Sequence, residues 1–60
     1  MAPPRLAVQR ASGAWWGGEI VSADHFEPMT ARVSSPAIAK RLLKARLAAL
    51  GVDCKIEVIR

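Results

Sequence analysis

Two hydrophobic periods share this chain. Between Pro36 and Leu50 the apolar residues Ile38, Ala39, Leu42, Leu43, Ala45, Leu47, Ala49 and Leu50 fall on one continuous arc of roughly 200° when wound at 100° per residue, wider than the ~100° a single core requires. Lys40, Arg41 and Lys44 project from the opposite side. Ser35 suits an N-cap, Pro36 the first helical position and Gly51 a left-handed exit. The pattern therefore predicts a helix over residues 36–50.

On both sides of this helix the period drops to two. Arg5-Leu6-Ala7-Val8-Gln9-Arg10 reads as a strand with Leu6 and Val8 on one face. The Ala11-Ser12-Gly13 connection predicts a hairpin, with Ala14 to Ala23 as the returning strand. Gly17-Gly18 interrupts that strand and marks a bulge, a bend, or a close approach by another backbone or ligand, with a tight turn as the alternative. Asp24 to Pro28 reads as a polar connection and Met29 to Val33 as a third strand. In Val52-Asp53-Cys54-Lys55-Ile56-Glu57-Val58-Ile59-Arg60, Val52, Cys54, Ile56 and Val58 share one side, which predicts a half-buried strand.

The elements add up to an α+β fold: a small antiparallel-rich sheet of three to four strands packed by one helix, in the order β-β-β-α-β. Residues 1–60 are expected to form one domain, with residues 1–4 as an extended lead-in. The pattern leaves open whether the last strand joins its own sheet or that of a second subunit.

Size sharpens this picture. A 60-residue domain buries only about 60% of the surface its unfolded chain exposes. Cys54 is the only cysteine, so no disulfide within the chain is possible, and one thiol with one imidazole gives no metal site. The expected remedy is a partner, and a homodimer joined at the open edge of the last strand is predicted. No apolar run reaches the ~20 residues of a membrane span, and the start does not read as a signal peptide. A cytoplasmic setting without membrane contact is the expectation.

Nine Lys and Arg face five acids, for a net charge of +4, a balance compatible with nucleic acid. Trp15 and Trp16 are adjacent on a predicted strand, so their side chains must leave on opposite faces. One is expected under the helix and the other outward, where it could stack on a base or anchor an interface. With Arg5, Arg10 and Arg32 they form the candidate nucleic-acid-binding set. Arg46 falls inside the apolar arc of the helix, where it either reaches water along its stem, pairs with Asp53, Glu57 or Glu19, or meets an acidic group or phosphate on a partner. Arg46, Leu43, Leu47 and Ile59 are the candidate protein-interface residues.

Ser22, Asp24, His25 and Glu27 lie close in sequence, yet no nucleophile or oxyanion donor accompanies them, and no catalytic residue, cofactor, metal or small-molecule substrate is expected. The functional expectation is a small, basic, non-catalytic interaction domain that binds nucleic acid. The alternative is a protein-binding accessory or inhibitor of phage or mobile-element type, acting through the helix face or a strand edge.

Overall fold

A computed structural model describes residues 4–60; most of the expected lead-in over residues 1–4 therefore lies outside the described residues. Strand β1, Arg5–Ala11, is followed by β2, Ala14–Ser22, β3, His25–Pro28, helix α1, Pro36–Ala49, and β4, Ile56–Ile59. The fold is α+β. The four strands form one sheet in the order β3-β2-β1-β4. β1 pairs antiparallel with β2, β2 antiparallel with β3, and β4 parallel with β1. Helix α1 thus carries the chain from one edge of the sheet to the other. The last strand belongs to its own sheet, pairing Leu6 with Ile56 and Val8 with Val58, and its free side is an edge.

The first hairpin is tighter than the sequence suggests. Ala11 opposes Ala14, so the loop is the two residues Ser12 and Gly13, at φ 54° and 74°. Both are left-handed, the backbone of a turn whose twist matches that of the strands it joins.

The third strand is displaced from Met29–Val33 to His25–Pro28. The later segment still follows the start of β2, since Trp15 and Val33 exchange two backbone hydrogen bonds of 2.8 and 3.0 Å. Between them the ladder is broken. The N–H groups of Met29 and Thr30 both donate to the Gly17 carbonyl, while the Gly17 N–H donates to Thr30 Oγ1 at 3.0 Å. A side-chain hydroxyl stands where a strand would present its own carbonyl.

Helix α1 ends where its signals say. Ser35 accepts from the Ile38 N–H, and Pro36 occupies the first turn. At the other end the Gly51 N–H donates to Ala48 O and the Val52 N–H to Leu47 O, with Gly51 at φ 73°. These two bonds make a Schellman exit. The strand predicted from Val52 begins only at Ile56, because residues 52–55 lead the chain from the helix layer to the sheet, a descent for which four extended residues give about 13 Å of reach.

The core lies between helix and sheet: Leu6 and Val8 below, Ala39, Leu43 and Leu47 above, rimmed by Trp15, Met29, Val33, Cys54 and Ile56. The two glycines of β2 serve opposite faces. A Cβ on Gly17 would meet Leu43 Cβ at 2.9 Å and Ala39 O at 3.1 Å, so the helix rests directly on this residue. A Cβ on Gly18 would run into the Glu27 carbonyl and approach Phe26 Cζ at 2.8 Å, so the aromatic ring lies beside bare backbone. Of the readings the glycine pair allows, close backbone approach is the one realised; the bulge occurs further on, between Ile20 and Ser22.

Candidate nucleic-acid interface

The pleat decides which side chains share a surface. By register, Leu6, Val8 and Arg10 of β1 and Trp15, Gly17 and Glu19 of β2 lie on the helix side. Arg5, Ala7, Gln9, Trp16, Gly18 and Ile20 lie on the outer side, joined there by Phe26, Pro28, Glu57 and Ile59. The two tryptophans separate as expected. Trp15 packs against the core, and Trp16 lies on the outer face with its indole N–H donating to Ala11 O at 2.9 Å.

The candidate set of Arg5, Arg10, Trp15, Trp16 and Arg32 is therefore not one surface. Arg5 and Trp16 share the outer face, Arg10 and Trp15 are on the helix side, and Arg32 follows β3 in the connection to α1. Arg5 is also engaged, its Nη2 donating to Glu57 Oε2 at 3.0 Å in an exposed pair. No free cation stands on the outer face within the register-paired strands.

Positive charge gathers instead on the helix layer. No acid occurs between Glu27 and Asp53, a stretch that contains Arg32, Lys40, Arg41, Lys44 and Arg46. All five side chains are exposed. Among the described residues the ion pairs are Arg5 with Glu57 and His25 with Glu27, so none of these five cations is matched by a carboxylate. The pairing of Arg46 with Asp53, Glu57 or Glu19 is not formed; it lies in the last turn of α1, where a cation complements the helix dipole. Ala37 and Ala48, also exposed, flank Lys40, Arg41 and Lys44 on the helical wheel and leave the cations standing above short neighbours. Lys40, Arg41 and Lys44 share one side of α1, whereas Arg46 lies on the other flank between Leu42 and Leu50, and the sequence signal for this charge is the absence of acids.

The protein-interface candidates also need correction. Leu43 is 0% exposed and Leu47 4%, so both are core residues with no surface to offer a partner. The surplus width of the apolar arc falls on Ile38, Leu42 and Leu50, 39%, 41% and 61% exposed. Arg46 is at the surface, and Ile59, 40% exposed, sits on the outer face of β4.

The polar loop residues form two local contacts, Ser22 Oγ to Asp24 Oδ1 at 3.0 Å and His25 Nε2 to Glu27 Oε2 at 3.1 Å. Both are exposed. Among the described residues no group of three His, Cys, Asp or Glu side chains is placed to hold a metal ion, and no helix is long and apolar enough to cross a membrane. Comparison of the chain with protein-family models, with curated proteins and with solved structures finds no match.

Proposed function

We propose that this protein is a small, non-catalytic nucleic-acid-binding domain that holds the phosphate backbone with the solvent side of α1. The observation that carries this reading is the acid-free stretch between Glu27 and Asp53, in which Lys40, Arg41 and Lys44 are exposed on one side of α1 and, among the described residues, none of them is paired with a carboxylate. A helix kept only for packing gains from opposite charges four residues apart, whereas like charges at that spacing cost a few tenths of a kcal/mol. Lys40 and Lys44 stand at that spacing. Cations arranged against the helix's own stability are cations held for something outside it. The contacts are to phosphate, so affinity is shared across sequences rather than tuned to one.

Fluorescence anisotropy with random duplex and single-stranded oligonucleotides tests the reading. Binding is expected at about 50 mM salt and should fall steeply toward 200 mM as counterions are released. In Lys40→Glu/Lys44→Glu protein the slope of log affinity against log salt should shrink by roughly 1.8 for duplex DNA, about 0.9 for each phosphate that is no longer neutralised. No binding at low salt, or a slope unchanged by the double substitution, overturns the proposal.

A further inference from the structure

The outer face of the sheet has no layer over it. Its middle carries Ala7, Trp16, Gly18, Ile20 and Phe26, with Ile59 on β4, and Gln9 among them. Trp16, Ile20 and Phe26 are half-buried and Ile59 is exposed. A sheet normally covers both faces or leaves the free one polar; the middle of this one is apolar, with Arg5, Asp24 and His25 at its margin, and no element among the described residues covers it.

From this face we infer that the chain forms a two-fold dimer by stacking two sheets through their outer faces, helices outward. Three features select a second copy as the occupant. The first is charge. The protein carries +4 overall, yet on this face Arg5 and Glu57 are paired with each other, and Asp24 and His25, at the margin of the hollow that Arg5, Gln9 and Ile59 line, are engaged with Ser22 and Glu27. Two copies therefore meet here without like-charge repulsion, while a phosphate chain or an acidic peptide finds no unpaired cation. The second is self-complementarity. Gln9 lines both hollows of the outer face, and among the described residues its amide has no hydrogen-bond partner. An amide donates and accepts, so a symmetry mate's amide satisfies it. The third is shape. The molecule is a slab of 33 × 25 × 15 Å, and its four-stranded sheet offers a face on which a second sheet can stack.

The dimer is an α/β/β/α sandwich with sheets about 10 Å apart. It differs from an edge-to-edge dimer through β4, which would leave Trp16, Phe26 and Ile20 in water. The inference does not depend on nucleic-acid binding, because it concerns the face opposite the helix.

Sedimentation equilibrium from about 1 to 100 μM, in the range where specific interfaces associate, tests it. The wild-type chain is expected to be dimeric. Gln9→Glu, which sets two carboxylates against each other across the axis, and Ile59→Arg should each weaken association at least tenfold, with far-ultraviolet circular dichroism reporting that the fold is kept. Leu42→Lys, on the flank of the helix, should leave the dimer intact. Should either outer-face variant unfold, NMR spectra of the wild type on dilution decide: shifts should move at Gln9, the Trp16 indole, Phe26 and Ile59 and stay fixed along α1. A monomer throughout this range, a dimer indifferent to the outer-face changes, or shifts confined to the β4 edge or the helix flank overturns the inference. So does a monomer whose Trp16 fluorescence is quenched by an oligonucleotide, which would give this face to nucleic acid.

Discussion

Three glycines in this chain do three different things, and substitution separates them. Gly17 is the seat of the helix, with Leu43 Cβ directly above it. Gly13 has open space where a Cβ would be, so Gly13→Ala tests backbone conformation alone and should cost about 1–2 kcal/mol for its left-handed φ. Ser12 occupies the other left-handed position of the same turn, where Asn is better tolerated, and Ser12→Asn should raise the melting temperature slightly. Gly18 is a matter of space. A Cβ there meets the Glu27 carbonyl and Pro28 Cα, at 2.9 Å in the latter case, and backbone cannot step aside as a side chain can. Gly18→Ala should therefore cost about 3 kcal/mol, the upper end for overpacking. Denaturant titrations of the Gly13 and Gly18 alanine variants check the order, and a Gly18→Ala protein as stable as Gly13→Ala would show that β3 is not held where it lies.

At the scale of elements, Leu42 and Leu43 are neighbours in sequence with opposite fates. Leu43 sits over Gly17 at 0% exposure, and Leu42 is 41% exposed. Leu43→Ala should cost about 2–5 kcal/mol, as much as the roughly 3–5 kcal/mol a single core gives a chain this small, and should leave the chain unfolded. Leu42→Ala should change stability by less than about 1 kcal/mol, in proportion to the little area it removes from water. Thermal melts of the two variants decide, and equal losses would mean the helix is rotated from its position. The helix was legible in the sequence to within a residue, because cap, proline and glycine are local signals that need no tertiary context. Its width was legible too, but not which part of a 200° arc faces the sheet, since Leu43, Leu47, Ile38 and Leu42 are equally apolar. The missed strand has a similar cause. Met29–Val33 looks more strand-like than His25–Pro28, yet which of them pairs is set by Gly17 and Gly18, whose bare backbone admits Phe26 on one face and Thr30 on the other. The candidate contact surface was partly legible: alternation alone puts Trp15 and Trp16, and Arg5 and Arg10, on opposite faces, but which face each strand turns to the helix follows only from the pairing of β1 with β2.

For the molecule as a whole, the distribution of charge sets stability against the proposed contact with phosphate. Five unpaired cations and no acid lie between Glu27 and Asp53, and their mutual repulsion opposes the folded state until salt screens it, over a Debye length of about 10 Å at 0.1 M. Melting temperature should therefore rise as salt is added at low ionic strength, while affinity for nucleic acid falls over the same range. Lys40→Glu is the substitution that exposes the conflict. It removes a like-charge pair with Lys44 and creates an acid-to-base pair at i,i+4 in the favourable orientation, worth about 0.3–0.5 kcal/mol. The variant should thus melt higher than the wild type and bind oligonucleotides more weakly. Calorimetry and anisotropy on one preparation measure both quantities. If the cations were merely a solvated surface, stability would rise and binding would be unchanged or absent; if Lys40 supported the fold, both would fall. Only opposite movements match a helix whose charge is held for phosphate at some expense to its own packing.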